Sequence, residues 1–82
     1  MNQLELKQAV DRVLIDQWSG EYPEIRDEWV FGQDILVDSL DLVEIAMALE
    51  SEFNIAIEDE ELALAKTPAL LYQLVWNKLQ LT

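Results

Sequence analysis

Apolar residues in the first segment, Leu6, Val10, Val13, Leu14 and Trp18, recur at steps of three and four, with Lys7, Asp11, Arg12 and Asp16 between them. That spacing predicts an amphipathic helix of about four turns, with Ser19-Gly20 as its stop. From Glu21 to Val37 the period is lost. Pro23, Gly32 and scattered charges stand there among Tyr22, Ile25, Trp29, Phe31 and Ile35. The pattern predicts a long connection pinned to the core by its apolar side chains.

The helical period resumes at Asp38 or Ser39 and runs to about Glu52, carried by Leu40, Val43, Ala46 or Met47, and Phe53. Asp38 and Asp41 stand where carboxylates complement the free backbone N–H groups and the dipole of a helix start. Ile55 and Ile57 alternate over too short a stretch to pair as a sheet. Ile57 reads as a core anchor and "EDEELAL" as a short third helix. Thr67 followed by Pro68 is a cap residue before a proline at the first helical position, which predicts a last helix over about Ala69 to Leu79. Its inward residues are Leu71, Leu74, Val75 and Leu79. There is no internal repeat. The sum is one all-α domain over residues 1–82, a small four-helix bundle of three main helices plus one short one, with a long loop between the first and second.

Composition narrows what such a bundle can do. A chain of 82 residues buries only about 60 to 65% of the surface it exposes when unfolded, which leaves little room for a large interior cavity. It has no cysteine and no histidine, so disulfides, thiolate chemistry, the commonest metal ligand and the usual neutral-pH base are missing. Seventeen acidic residues against five basic ones give a net charge of −12. That field repels nucleic acid and anionic lipid and favours encounter with basic protein surfaces. The polar, acidic "MNQLELKQAV" start is unlike a signal peptide, and the apolar runs fall far short of the ~20 residues that span a bilayer. The expectation is a soluble, cytoplasmic monomer.

Ser39, between Asp38 and Leu40, is the one side chain whose placement raises a chemical question. A serine nucleophile needs a positioned base, and Lys7, Lys66 and Lys78 all read as solvent-facing. The "EDEE" run at 58–61 supplies several carboxylates for acid and base work, and a small hydrolase using it would lose turnover on changing Glu60 or Glu61, but a charge run is usually a solvated face. Neither "DILVDSLDLVE" nor "IEDEEL" has the glycine and alternating ligands of a calcium loop. The chain is therefore expected to be neither an enzyme nor a metal protein. Ser39 then serves as a helix cap or as a point of covalent attachment. Asp38 is the better-placed cap, which leaves Ser39 at the first helical position with its hydroxyl free and the positive end of the helix ready to accommodate a phosphodiester.

"DSLDLVEIAMALESEFNIAIEDEE" resembles the central segment of acyl carrier proteins, and the likeness extends to the apolar first helix, the "FGQD" approach to the serine and the threonine that starts the last helix. The resemblance implies that Ser39 carries a phosphopantetheine arm and that Asp38 and Leu40 complete the motif read by a phosphopantetheinyl transferase. It implies that Asp41, Glu44, Met47, Glu50 and Glu52 form the face of the second helix that docks onto basic grooves of acyl-loading and acyl-processing enzymes. Steps of three from Asp41 to Glu50 support one shared stripe. It also implies an acyl slot between helices, for which Leu40, Val43, Ala46, Phe53, Ile57, Ala63 and Leu74 are candidates. Their simplest role is core packing.

The chain departs from the family pattern at Leu36, where a glycine is usual, and at Glu58, where a proline often precedes the third helix. It also adds Trp18, Trp29 and Trp76. These departures speak for a specialised carrier in fatty-acid, lipid or secondary-metabolite synthesis as readily as for a housekeeping one. The alternative function is an unmodified acidic module that binds a basic partner through the second helix and carries nothing.

Overall fold

The computed structural model describes residues 2–18, 25–35 and 37–80. Four helices follow one another: α1 (Gln3–Gln17), α2 (Ser39–Phe53), α3 (Asp59–Leu64) and α4 (Pro68–Gln80). No strand occurs among the described residues; Phe31 and Ile35 form an isolated bridge. The all-α bundle with a long first connection is as the periodicity predicts. The expected stop at Ser19-Gly20, the anchor Tyr22 and the unusual Leu36 lie outside the described residues.

Each helix start has a chemical cause. Asn2 Oδ1 accepts from the Glu5 N–H at 2.8 Å while Glu5 Oε1 accepts from the Asn2 N–H at 3.0 Å, a reciprocal capping box. At α4 the Leu70 N–H donates to Thr67 Oγ1 at 3.2 Å, and Pro68 takes the first helical position. Asn54 ends α2 in the left-handed region at φ 54°, a conformation asparagine tolerates better than most residues.

Leu6, Val10 and Leu14 of α1 meet Ile45 and Leu49 of α2 and Leu71 and Val75 of α4 in a single core. The long connection is pinned as expected. Ile25 and Ile35 are buried, and Trp29 and Phe31 pack against the core. Two backbone bonds tie the connection to the approach and first turn of α4: Phe31 N–H to Lys66 O at 2.9 Å and Ala69 N–H to Asp27 O at 3.1 Å. Gly32 turns this segment at φ +88°, where a side chain would be strained.

The packing face of α2 differs from the expectation. Leu40 and Val43, read as inward, are 66% and 43% exposed. The residues that face inward are Leu42, Ile45, Ala46, Leu49 and Phe53. Both sets keep the helical period, so α2 carries two apolar stripes and spacing alone does not say which one α1 covers. Two of the three lysines also differ from their reading as solvent-facing, while Lys66 agrees with it. Lys7 bridges Asp11 at 2.7 Å and Asp27 at 3.4 Å, Lys78 pairs with Glu61 at 2.8 Å, and Lys66 is exposed. No helix among the described residues is long and apolar enough to cross a membrane.

Candidate functional site

The start of α2 is built by two aspartates. Asp38 Oδ1 accepts from the Asp41 N–H at 2.9 Å, and Asp41 Oδ2 accepts from the Asp38 N–H at 3.0 Å. This capping box satisfies the first orphan donors of the helix without the serine. Ser39, the first helical residue, is exposed. Its neighbour Leu40 is exposed as well.

Beside Ser39 a shallow groove of about 220 Å³ runs between α2 and α3. Leu42 and Val43 line one wall, Leu62 and Ala63 the other, and Asp59 stands with Ser39 at the polar edge. Of the acyl-slot candidates, Val43 and Ala63 belong to this groove. Ala46 is buried in α2, and Phe53 and Ile57 are half-buried against the core. Leu74 lines a different groove, between α3 and α4. Leu42, Leu62 and Asp59 are additions that the sequence reading missed. The signal for Leu62 was present in the amphipathic spacing of "EDEELAL", but which helix it would face was not.

The stripe from Asp41 to Glu50 is not a single exposed face. Three residues advance 300° around a helix, so each step drifts backward by about 60° and the two ends come to lie on opposite sides. Asp41 is engaged in the cap. Glu44 Oε2 accepts from Gln17 Nε2 at the end of α1 at 2.8 Å. Glu50 is half-buried, and its Oε2 accepts from the Ile57 N–H at 2.9 Å, which braces the turn after α2. Met47 and Glu52 are exposed. The outward face of α2 therefore reads Leu40, Val43, Glu44 and Met47, three apolar side chains around one carboxylate.

Charge is organised away from the serine too. Tyr72 O–H donates to Asp11, and Lys7 lies 5.2 Å from the centre of the Tyr72 ring. Burial, together with the Asp11 and Asp27 carboxylates, pushes the Tyr72 phenol far above its ordinary value. Partial burial works against the Lys7 ammonium, but the hydrogen bond and charge of Asp11, with Asp27 behind it, outweigh this and raise Lys7. At α3 the Lys78 ammonium and the Glu58 N–H hold the Glu61 carboxyl below its ordinary value. No group of three or more acidic, histidine or cysteine side chains among the described residues could hold a metal ion.

The start of α2 thus sets an exposed serine between a self-contained aspartate cap and an apolar groove. A family profile described as the phosphopantetheine attachment site matches residues 33–75, which include that helix start and the groove. The acyl carrier protein of Thermosynechococcus vestitus is 40% identical over 78 residues, covering 95% of this chain and 96% of the relative. That of Petrotoga mobilis is 38% identical over 81 residues, covering 99% and 95%. That of Helicobacter hepaticus is 43% identical over 60 residues, covering 73% and 79%. The chain belongs to the acyl carrier protein family. It is a carrier and not an enzyme: with phosphopantetheine as its prosthetic group it holds acyl groups and presents them to partner enzymes. The thiol of that group forms the thioester, so a chain without cysteine suffices.

Proposed function

We propose that Ser39 is the attachment point and that its location at the first helical position is what fits it for the role. The observation that carries this reading is the reciprocal Asp38–Asp41 box, which relieves Ser39 of the capping duty a serine at a helix start usually has. Three other hydroxyls lie in the matched segment. Thr67 caps α4, the Tyr72 O–H donates to Asp11, and Ser51 sits near the far end of α2, away from the groove. A phosphodiester on Ser39 meets the positive end of a 15-residue helix. Asp38 fixes that helix start, and Leu40 beside it offers the phosphopantetheinyl transferase an apolar contact.

The groove beside Ser39 takes the apolar part of the cargo against Leu42, Val43, Leu62 and Ala63. Ala46 and Phe53 serve the core instead. Partner enzymes meet the outward face of α2, where Leu40, Val43 and Met47 supply apolar contact, and Glu44 and Glu52, with Asp41 at the rim, attract basic residues. Docking through Glu50 is secondary in this reading, since its carboxylate is half-buried and bonded to the Ile57 N–H, whereas Glu44, which bonds Gln17, stays exposed. Residues 1–82 act as one domain, a cytoplasmic monomer kept apart from its copies by its net charge of −12.

The test is intact-protein mass spectrometry after incubation with coenzyme A and a broad-specificity phosphopantetheinyl transferase. One added phosphopantetheine on the wild type and none on Ser39→Ala is the expected result. Addition to Ser39→Ala would move the site elsewhere. No addition to either, with a control carrier modified in parallel, would favour the unmodified interaction module.

A further inference from the structure

Helix α3 is the least anchored element among the described residues, with no buried side chain in its six residues. A groove flanks it on each side. Toward α2 lies the groove assigned above to cargo, and toward α4 lies a second of about 300 Å³ whose rim includes the exposed Leu64 and Leu70. Packing alone therefore does not fix where α3 stands between its neighbours.

One oxygen contributes to both its start and its position. Glu61 Oε1 accepts from the Glu58 N–H at 2.9 Å, which caps the start of α3, and from Lys78 Nζ at 2.8 Å, which ties α3 to α4. The next two residues, Leu62 and Ala63, form the α3 wall of the cargo groove. The distance from α3 to α4 and the width of the groove on the opposite side are thus coupled through a single ion pair. Resting on the attachment reading above, we propose that Glu61 and Lys78 are positioning residues that hold α3 toward α4 and thereby set the size of acyl group the α2–α3 groove accepts. With the pair in place the shallow groove takes shorter chains, and longer ones require α3 to move.

Two readouts test this. The first is hydrogen exchange of the α3 amides in the protein without an arm, including the Leu62 N–H that bonds to Glu58 O. In Lys78→Met, which keeps the apolar stem, these amides exchange about two- to fivefold faster while those of α1 and α4 are unchanged. The second is the gain in Tm on loading Ser39 with butanoyl, octanoyl or dodecanoyl phosphopantetheine. In the wild type the gain levels off before dodecanoyl, and in Lys78→Met it continues to dodecanoyl. Lys78→Arg restores the wild-type behaviour in both. Glu61→Gln, which keeps the capping oxygen and loses the charge, behaves like Lys78→Met. The proposal is overturned if Lys78→Met leaves the exchange or the chain-length profile unchanged, or if Lys78→Arg fails to restore them. If mass spectrometry finds no arm on Ser39, the attachment reading fails by itself. The exchange comparison needs no arm and still decides the clasp.

Discussion

Helix α2 carries two apolar stripes of equal helical period, and replacing one leucine from each separates their roles. Leu49 is fully buried among side chains of α1 and α4, whereas Leu40 is 66% exposed. Leu49→Ala removes the buried branched end and leaves a cavity that neighbours fill only in part, a loss of about 2–5 kcal/mol. A domain of this length has roughly 4–12 kcal/mol of total stability at the usual 0.05–0.15 kcal/mol per residue. A central loss of ~3 kcal/mol then lowers Tm by about 12–24 °C and brings the protein close to unfolding at physiological temperature. Leu40→Ala exposes no cavity and is expected to cost no more than ~0.5 kcal/mol. Its effect should fall on modification by the transferase and on partner binding. Thermal melts followed by circular dichroism, with urea titration to compare m-values, measure both changes. Equal losses from the two substitutions, or a loss of more than ~2 kcal/mol from Leu40→Ala, would refute the assignment of the inward face.

Three further outcomes follow from the same contacts. Asp38→Ala, which removes the cap on the Asp41 N–H, should lower stability by ~1 kcal/mol and Tm by about 4–8 °C, whereas Asp38→Asn should keep most of it. The raised Tyr72 and Lys7 both contribute stability that is complete below their unfolded values, near ~10, and lost as pH rises beyond them. Tm should therefore fall steeply above about pH 10 and less steeply in Tyr72→Phe, and identical alkaline profiles would contradict the Asp11 contact. With a net charge of −12, added sodium chloride should raise Tm by screening self-repulsion, and a Tm indifferent to salt would show that the surplus carboxylates do not oppose the fold.

How much of this was legible in the chain depends on the range of the interaction responsible. The sequence by itself determined the four helices and the starts of α2 and α4, because capping and periodicity are local: Asp38 with Asp41 and Thr67 with Pro68 do their work within four residues. It also determined the carrier motif around Ser39, since a motif is a matter of order and spacing. Tertiary structure alone decided which stripe of α2 is covered, because Leu40–Val43–Met47 and Leu42–Ile45–Leu49 are equally periodic and only the approach of α1 and α4 chooses between them. It likewise decided that Glu50 braces the turn at Ile57 while Glu44 meets Gln17, and that Glu61 finds Lys78. Those partners are up to 27 residues apart in sequence. Charge pattern places a carboxylate on a surface, but the neighbour that engages it is brought there by packing.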